Sequence, residues 1–284
     1  MPTLAFIGCG NMGSAILSGL LDATRQSPTT AKITDFIVNT KTAESATALR
    51  TTYQADASRV TVTNGQNVRA MQEADIIMLG CKPFLAEGIL SEPGVAGALA
   101  GKFVISVMGG KTPAQILEFI LQGAETRELE KPVITRAIPN VAARLRKSMT
   151  IVERNSELSE DRAEILAWVF EQIGKVKFLE PEQVDVGSML MATAALMCVP
   201  VDGILDGCVI EGLRRPEALE MTAQCLEGMA GLLREGVHPA VLRESVSSPR
   251  GCTIQGLHTL EKQGVRGTFA DAIVNGTKHF RGEK

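Results

Sequence analysis

From residue 4 to residue 179 the chain alternates short apolar runs with stretches of helical spacing. The pattern predicts strands at 4–8, 35–39, 76–80, 103–108, 132–138, 149–153 and 176–179. Ile76-Ile77-Met78-Leu79 and Val104-Ile105-Ser106-Val107 are continuous rather than alternating, as strands buried on both faces require. Helical spacing fills 11–23, 43–53, 113–121 and 159–173. Strand–helix alternation of this kind implies an α/β fold with a mostly parallel, doubly wound sheet.

After about residue 180 no further strand is predicted, and Ala, Leu, Met and Gly recur at helical intervals. In 217–233 the apolar positions Leu219, Ala223, Leu226, Ala230 and Leu233 are three or four residues apart. We therefore place an α/β domain at 1–180 and an all-helical domain at 181–284. A long helical stretch rich in small apolar side chains needs a surface to cover it, and a homodimer supplies one.

Composition narrows the function. The 284 residues are 45% hydrophobic and 21% charged, with a formal net charge of -3. That balance lacks the concentrated basic face a nucleic-acid partner needs. The most apolar stretch, 189–205, is short for a membrane span and is interrupted by Asp202. Six cysteines without CxxC or Cys/His spacing point to reduced thiols, a cytoplasmic location and no metal site.

The first strand runs directly into Gly8-Cys9-Gly10-Asn11-Met12-Gly13, a GxGxxG turn between a strand and a helix. In that context Gly8 makes the tight turn, Gly10 admits a pyrophosphate, and Gly13 lets helix and strand pack closely. The helix start offers free N–H groups to phosphate, with Asn11 and Met12 in its first turn. The second strand ends in Asn39-Thr40-Lys41 and carries no carboxylate to bond a ribose 2'-hydroxyl. Asn39, Thr40 and Lys41 suit a 2'-phosphate, which favours NADPH, with NADH as the alternative. Gly80-Cys81-Lys82-Pro83 and Gly109-Gly110 follow further strands, where a doubly wound sheet presents loops to ligands.

With Arg136-Ala137-Ile138-Pro139-Asn140, His238-Pro239, Val246-Ser247-Ser248-Pro249, Leu260-Glu261 and Gly264-Val265-Arg266, these motifs resemble the pyrroline-5-carboxylate reductase family over nearly the whole chain. The resemblance implies a Rossmann-type domain followed by an all-helical dimerisation domain. It also implies an active site between one subunit's nucleotide domain and the helical bundle of the dimer. The substrate would be a cyclic imino acid, held by Ser247, Ser248, Arg250, Gly251, Cys252 and Thr253, with Thr253 as the catalytic contact. Asn67 and the Cys81-Lys82-Pro83 loop match cofactor-contacting positions, and Gly109 lies in the loop proposed for the nicotinamide. Further assembly of dimers is left open.

Local chemistry agrees. A helix starting near Cys252 presents unpaired N–H groups that favour a carboxylate, with Ile254, Leu257 and Leu260 as its buried stripe. A cyclic imine is readily protonated, so the enzyme needs positioning rather than a nucleophile, and His238 and His258 read as structural. The sequence departs from the family at Arg250, where a glycine is usual, at Cys252, and at Ala192-Thr193-Ala194-Ala195-Leu196 in place of G-S-G-P-A. These changes fit an NADPH-dependent reductase of a substituted or ring-variant imine, with a dimeric cofactor-binding paralogue without turnover, acting as scaffold or sensor, as the alternative. A hydroxyacid dehydrogenase would want a lysine acid in its helical domain, and 184–214 has none.

Overall fold

The computed structural model of the protein describes residues 1–124 and 129–283. Its strands are β1 Thr3–Ile7, β2 Asp35–Thr40, β3 Val60–Asn64, β4 Ile76–Leu79, β5 Phe103–Ser106, β6 Val133–Ile138, β7 Ser148–Glu153 and β8 Gly174–Leu179. Helices α1 Asn11–Gln26, α2 Ala43–Thr52, α3 Asn67–Glu73, α4 Ala86–Leu90, α5 Val95–Leu99, α6 Pro113–Gln122, α7 Glu160–Glu171 and α8 Pro181–Leu190 alternate with them. The remaining helices are α9 Thr193–Ile210, α10 Arg215–Arg234, α11 Pro239–Ser245, α12 Cys252–Lys262 and α13 Val265–Arg281.

The strands form one sheet in the order β3-β2-β1-β4-β5-β6-β7-β8. The first six are parallel, in the order that places a crevice beside β1 where the winding reverses. β7 runs antiparallel to β6, and β8 runs parallel to β7. Apolar cores cover both faces, as the unbroken apolar strands require. Leu4 and Phe6 of β1 face one core with α1 and α7, and Ala5 and Ile7 face the other with α3 and α6.

β3 and α3 were not anticipated. β3 is the sheet's edge strand and reads Val60-Thr61-Val62-Thr63-Asn64, half polar because one side faces water. α3 and the short helices α4 and α5 offer too few turns for a period to emerge. α3 is closed by a distant residue. The Lys102 ammonium donates to Met71 O at 2.6 Å, Gln72 O at 2.9 Å and Ala74 O at 2.7 Å. These are the carbonyls that a helix end leaves unpaired. Burial lowers the Lys102 pKa, with Asp75 opposing.

The chain divides into two compact units, Met1–Met191 and Ala192–Lys284. α8 belongs to the first because it packs on β7 and β8. Buried Arg136 on β6 also holds it, with Nε 2.6 Å from Glu153 Oε2 and Nη1 3.4 Å from Asp185 Oδ1. In the second unit only Leu205, Ala218 and Thr277 are buried among the described residues. The stripe expected inside α12 is open to solvent within one chain, Ile254 being 40% and Leu260 53% exposed. Leu219 and Leu233 on α10 are exposed as well. Within the second unit the described helices leave these faces exposed, so the expectation of a buried stripe is not met there. By length and composition alone, Pro181–Ile210 would also suffice to cross a membrane. The shorter stretch 189–205, interrupted by Asp202, lies within it. Pro181–Ile210 is two helices, α8 and α9, separated at Met191 and Ala192.

Replacing Lys102 by Met should leave three carbonyls at the end of α3 without their donor. Urea unfolding at fixed protein concentration should show a loss of about 2 kcal/mol.

Candidate functional site

The crevice beside β1 is made of backbone. Gly8 takes φ +86 and its N–H donates to Asn39 O at 2.9 Å. A methyl on Gly8 would lie 2.9 Å from Cys81 N, and one on Gly80 would lie 2.6 Å from Gly8 O. The ends of β1 and β4 therefore meet at a distance only glycine permits. Gly13 packs on Cys9, whose Sγ would be 3.2 Å from an added methyl, while Gly10 faces open space. α1 starts with Gly10 as its N-cap, with no side chain accepting from its first N–H groups and no acidic residue in the first turn. Free amides over an open glycine are what an anionic pyrophosphate needs.

Cys9 and Cys81 border this crevice, and burial pushes both thiols up to about 11, so they stay protonated near neutral pH. The Cys81 thiol lies 3.4 Å from Met108 Sδ, filling space between the β4 and β5 loops. Lys82 is exposed, its ammonium 5.9 Å from the ring centre of exposed Phe84, and Pro83 opens a single 3-10 turn. In the β5 loop Gly110, not Gly109, takes the left-handed turn, at φ +74.

At the end of β2 the structure revises two assignments. Asn39 is 1% exposed, and its Oδ1 accepts from Thr63 Oγ1 at 3.0 Å and Gln66 N at 3.1 Å. Its Nδ2 donates to Asn67 Oδ1 at 2.7 Å, and Asn67 in turn donates to Glu92 at 3.3 Å. The Thr40 hydroxyl is buried and donates to Thr42 O at 3.0 Å. Asn39 therefore ties β2 to β3 and α3, the Thr40 hydroxyl bonds the loop into α2, and both are buried, so neither presents an exposed side chain to a 2'-phosphate. Lys41 is exposed, beside Thr42, the N-cap of α2, and the Ser45 hydroxyl that Thr42 bonds at 2.9 Å.

The remaining predicted residues lie in the second unit, in the turn between α11 and α12. His238 caps α11 by accepting from Ala240 N at 3.2 Å, a structural task. The Ser247 hydroxyl donates to Arg243 O at 2.7 Å. Ser248 folds over Gly251, where a methyl would fall 2.5 Å from Ser248 Oγ. Gly251 is the N-cap of α12, which has no side-chain cap and no acidic residue in its first turn. Cys252 and Thr253 are exposed at that helix start, and Arg250 takes φ +61. Glu261 fixes the turn from below, 2.6 Å from Arg243 and 3.5 Å from Arg266. Within the Leu260-Glu261 and Gly264-Val265-Arg266 motif, Glu261 thus links α11 to α13 through Arg243 and Arg266. Among the described residues no group of three or more His, Cys, Asp or Glu could hold a metal ion.

Fold and crevice define a dinucleotide-binding α/β protein with a helical second unit. The family described as NADP oxidoreductase coenzyme F420-dependent matches residues 3–110, and the pyrroline-5-carboxylate reductase dimerisation family matches residues 181–282. A pyrroline-5-carboxylate reductase from Lophium arboricola is 38% identical, the match covering 97% of this chain and 91% of that protein. One from Neurospora crassa is 36% identical over 98% of this chain and 96% of its own length. The fold is shared with a pyrroline carboxylate reductase from Plasmodium falciparum solved with NADP bound. That structure gives a TM-score of 0.80 at 20% identity, over 99% of this chain and 97% of that one. The chain belongs to the pyrroline-5-carboxylate reductase family.

Gly80→Ala should force the ends of β1 and β4 apart, costing about 2 kcal/mol of stability and at least roughly tenfold in dinucleotide affinity. Gly88→Ala, at a helical glycine with nothing within 4 Å of an added methyl, is the control and should be neutral or slightly stabilising. Melting curves and nucleotide fluorescence titration read both.

Proposed function

We propose that the protein is an NADPH-dependent reductase of a cyclic imino acid, 1-pyrroline-5-carboxylate or a substituted or ring-variant analogue. The observation that carries this reading is the near full-length match to reductases of that name, which takes in both the glycine crevice and the α12 turn. The residues present fit the cofactor: Gly10 leaves room, and α1 presents amides with no competing acid. Asn11, Met12 and Gly13 hold the pyrophosphate through backbone N–H groups. Lys41, at the exposed end of β2, would neutralise the 2'-phosphate, and the Cys81-Lys82-Pro83 and Gly109 loops would make further contacts to the cofactor.

When bound, NADPH supplies the hydride that the carbon of the protonated C=N bond accepts. The chain's own task is to hold and orient. Amides at the start of α12, with the hydroxyls of Thr253 and Ser248, receive the substrate carboxylate, and the Thr253 hydroxyl also reaches toward the ring nitrogen. Arg250 adds a positive charge beside that carboxylate. No nucleophile takes part, consistent with the protonated thiols at the crevice and the capping role of His238. The enzyme works as a dimer whose helical units cover one another's apolar faces, and its free thiols suit the cytoplasm.

The deciding assay follows NADPH oxidation with pyrroline-5-carboxylate, its methylated homologues and the six-membered piperideine carboxylate. Turnover is expected on at least one. Tight NADPH binding with no turnover on any would overturn the enzyme reading. Thr253→Ala should raise KM for the imine about tenfold and leave NADPH affinity unchanged. Lys41→Ala should raise KM for NADPH about tenfold while that for NADH stays put, which kinetics with each cofactor will show.

A further inference from the structure

After β6 the chain makes a 3-10 turn, Val141–Leu145, that Asn140 caps by accepting from Ala142 N at 3.2 Å. Arg146 closes this turn with a left-handed backbone, φ 58 and ψ 25. Glycine would adopt that conformation at lower cost. The side chain shows what the arginine does there. Nη1 donates to Ala15 O at 2.9 Å, and Nη2 donates to Asp22 Oδ2 at 2.6 Å. The guanidinium thus lies along α1, bonded to it at two points.

Gly19 of α1 is shaped to receive it. A methyl there would lie 3.0 Å from Arg146 Nη1 and 2.8 Å from Ile173 Cγ2. Asp22 is held from the other side by Arg25 at 2.7 Å, and Arg25 also pairs with Asp56. Tyr53, at the end of α2, donates to Ser14 O at 3.1 Å. Arg146 and Tyr53 line the same cleft, of about 840 Å³, as Asn11 and Met12. The helix whose first amides would face the cofactor is thereby gripped along its length.

We propose that Arg146 is a positioning residue for the dinucleotide, setting the axial position of α1 and so the distance of its first N–H groups from the Gly8 and Gly80 strand ends. It would act through α1, and the proposal rests on the cofactor reading of the preceding section. A purely local role in closing the turn makes a different forecast, because glycine would then serve as well or better.

The experiment uses the full chain with Arg146→Gly, Arg146→Ala, Arg146→Lys and Asp22→Asn. Nucleotide fluorescence titration gives Kd for NADPH, steady-state kinetics give KM and kcat, and melting curves report folding. Arg146→Gly is expected to melt above Arg146→Ala, since glycine removes the left-handed strain, yet to raise Kd and KM for NADPH roughly three- to tenfold. At saturating NADPH, kcat and the imine KM should stay within about twofold of wild type. Arg146→Lys should fall between, its ammonium reaching one acceptor, and Asp22→Asn should weaken NADPH binding to a smaller extent. If Arg146→Gly does not fold, Asp22→Asn decides. Folded variants that bind NADPH like wild type overturn the assignment alone, as does an equal loss in every constant. A wild-type chain without NADPH affinity overturns the cofactor reading and this assignment with it.

Discussion

The contact on which the nucleotide-binding unit depends is the meeting of the β1 and β4 strand ends at Gly8 and Gly80. Backbone touches backbone there, and a single methyl on either glycine has no place. The Gly8 N–H reaches Asn39 O, so β2 is drawn to the same point. With three strand ends gathered, α1 must start immediately above them, and its unpaired amides become the positive end of a site. Because this crevice is built from main chain, the side chains around it are free to fill space. Cys9 and Cys81 do so as neutral thiols, held protonated by their burial.

Much of this was legible in the sequence because it is local. A strand, a tight turn and a helix within a dozen or so residues leave a pattern that spacing alone can read. What spacing could not show is where side chains point. Asn39 and Thr40 sit where a 2'-phosphate binder would, yet both are buried, Asn39 joining β2 to β3 and α3 and the Thr40 hydroxyl bonding the loop into α2. Lys102 closes a helix formed by residues about thirty positions earlier in the chain, and no local pattern announces that. The edge strand β3 escaped for a related reason: one of its sides faces water, so its apolar signal is half the strength of a central strand's.

The helical unit presents the opposite case. Its helices were legible, but within that unit the apolar positions the period picks out are left exposed. Leaving Leu219, Ile254 and Leu260 in water forfeits the burial that would stabilise the helices, and a fold with so few buried residues has little cohesion of its own. The match of this unit to a dimerisation family supplies the missing surface. The same circumstance explains the membrane-like apolarity of Pro181–Ile210. In α9, a helix destined for a bundle made by two chains carries the composition of a core while staying exposed in one chain, whereas α8 packs on β7 and β8.

Arg146 and Arg250 are the two residues other than glycine with a positive φ among those described. They resolve the cost of that conformation differently. Arg146 is held by two side-chain hydrogen bonds to α1 and by its own N–H to Ala143 O at 3.0 Å. Arg250 makes no hydrogen bond or ion pair among the described residues, and it stands on the turn that receives the substrate in the proposed function. Reduction of a protonated imine demands no acid or nucleophile from the protein, so a family of such enzymes can change substrate without changing its chemistry. What must change is the shape and charge around the carboxylate and ring. An unpartnered cation, at a position where a glycine would be less strained, alters both at once. Under the proposed function, the imine would therefore be selected by this turn and by residues 192–196 at the start of α9 rather than by the glycine crevice.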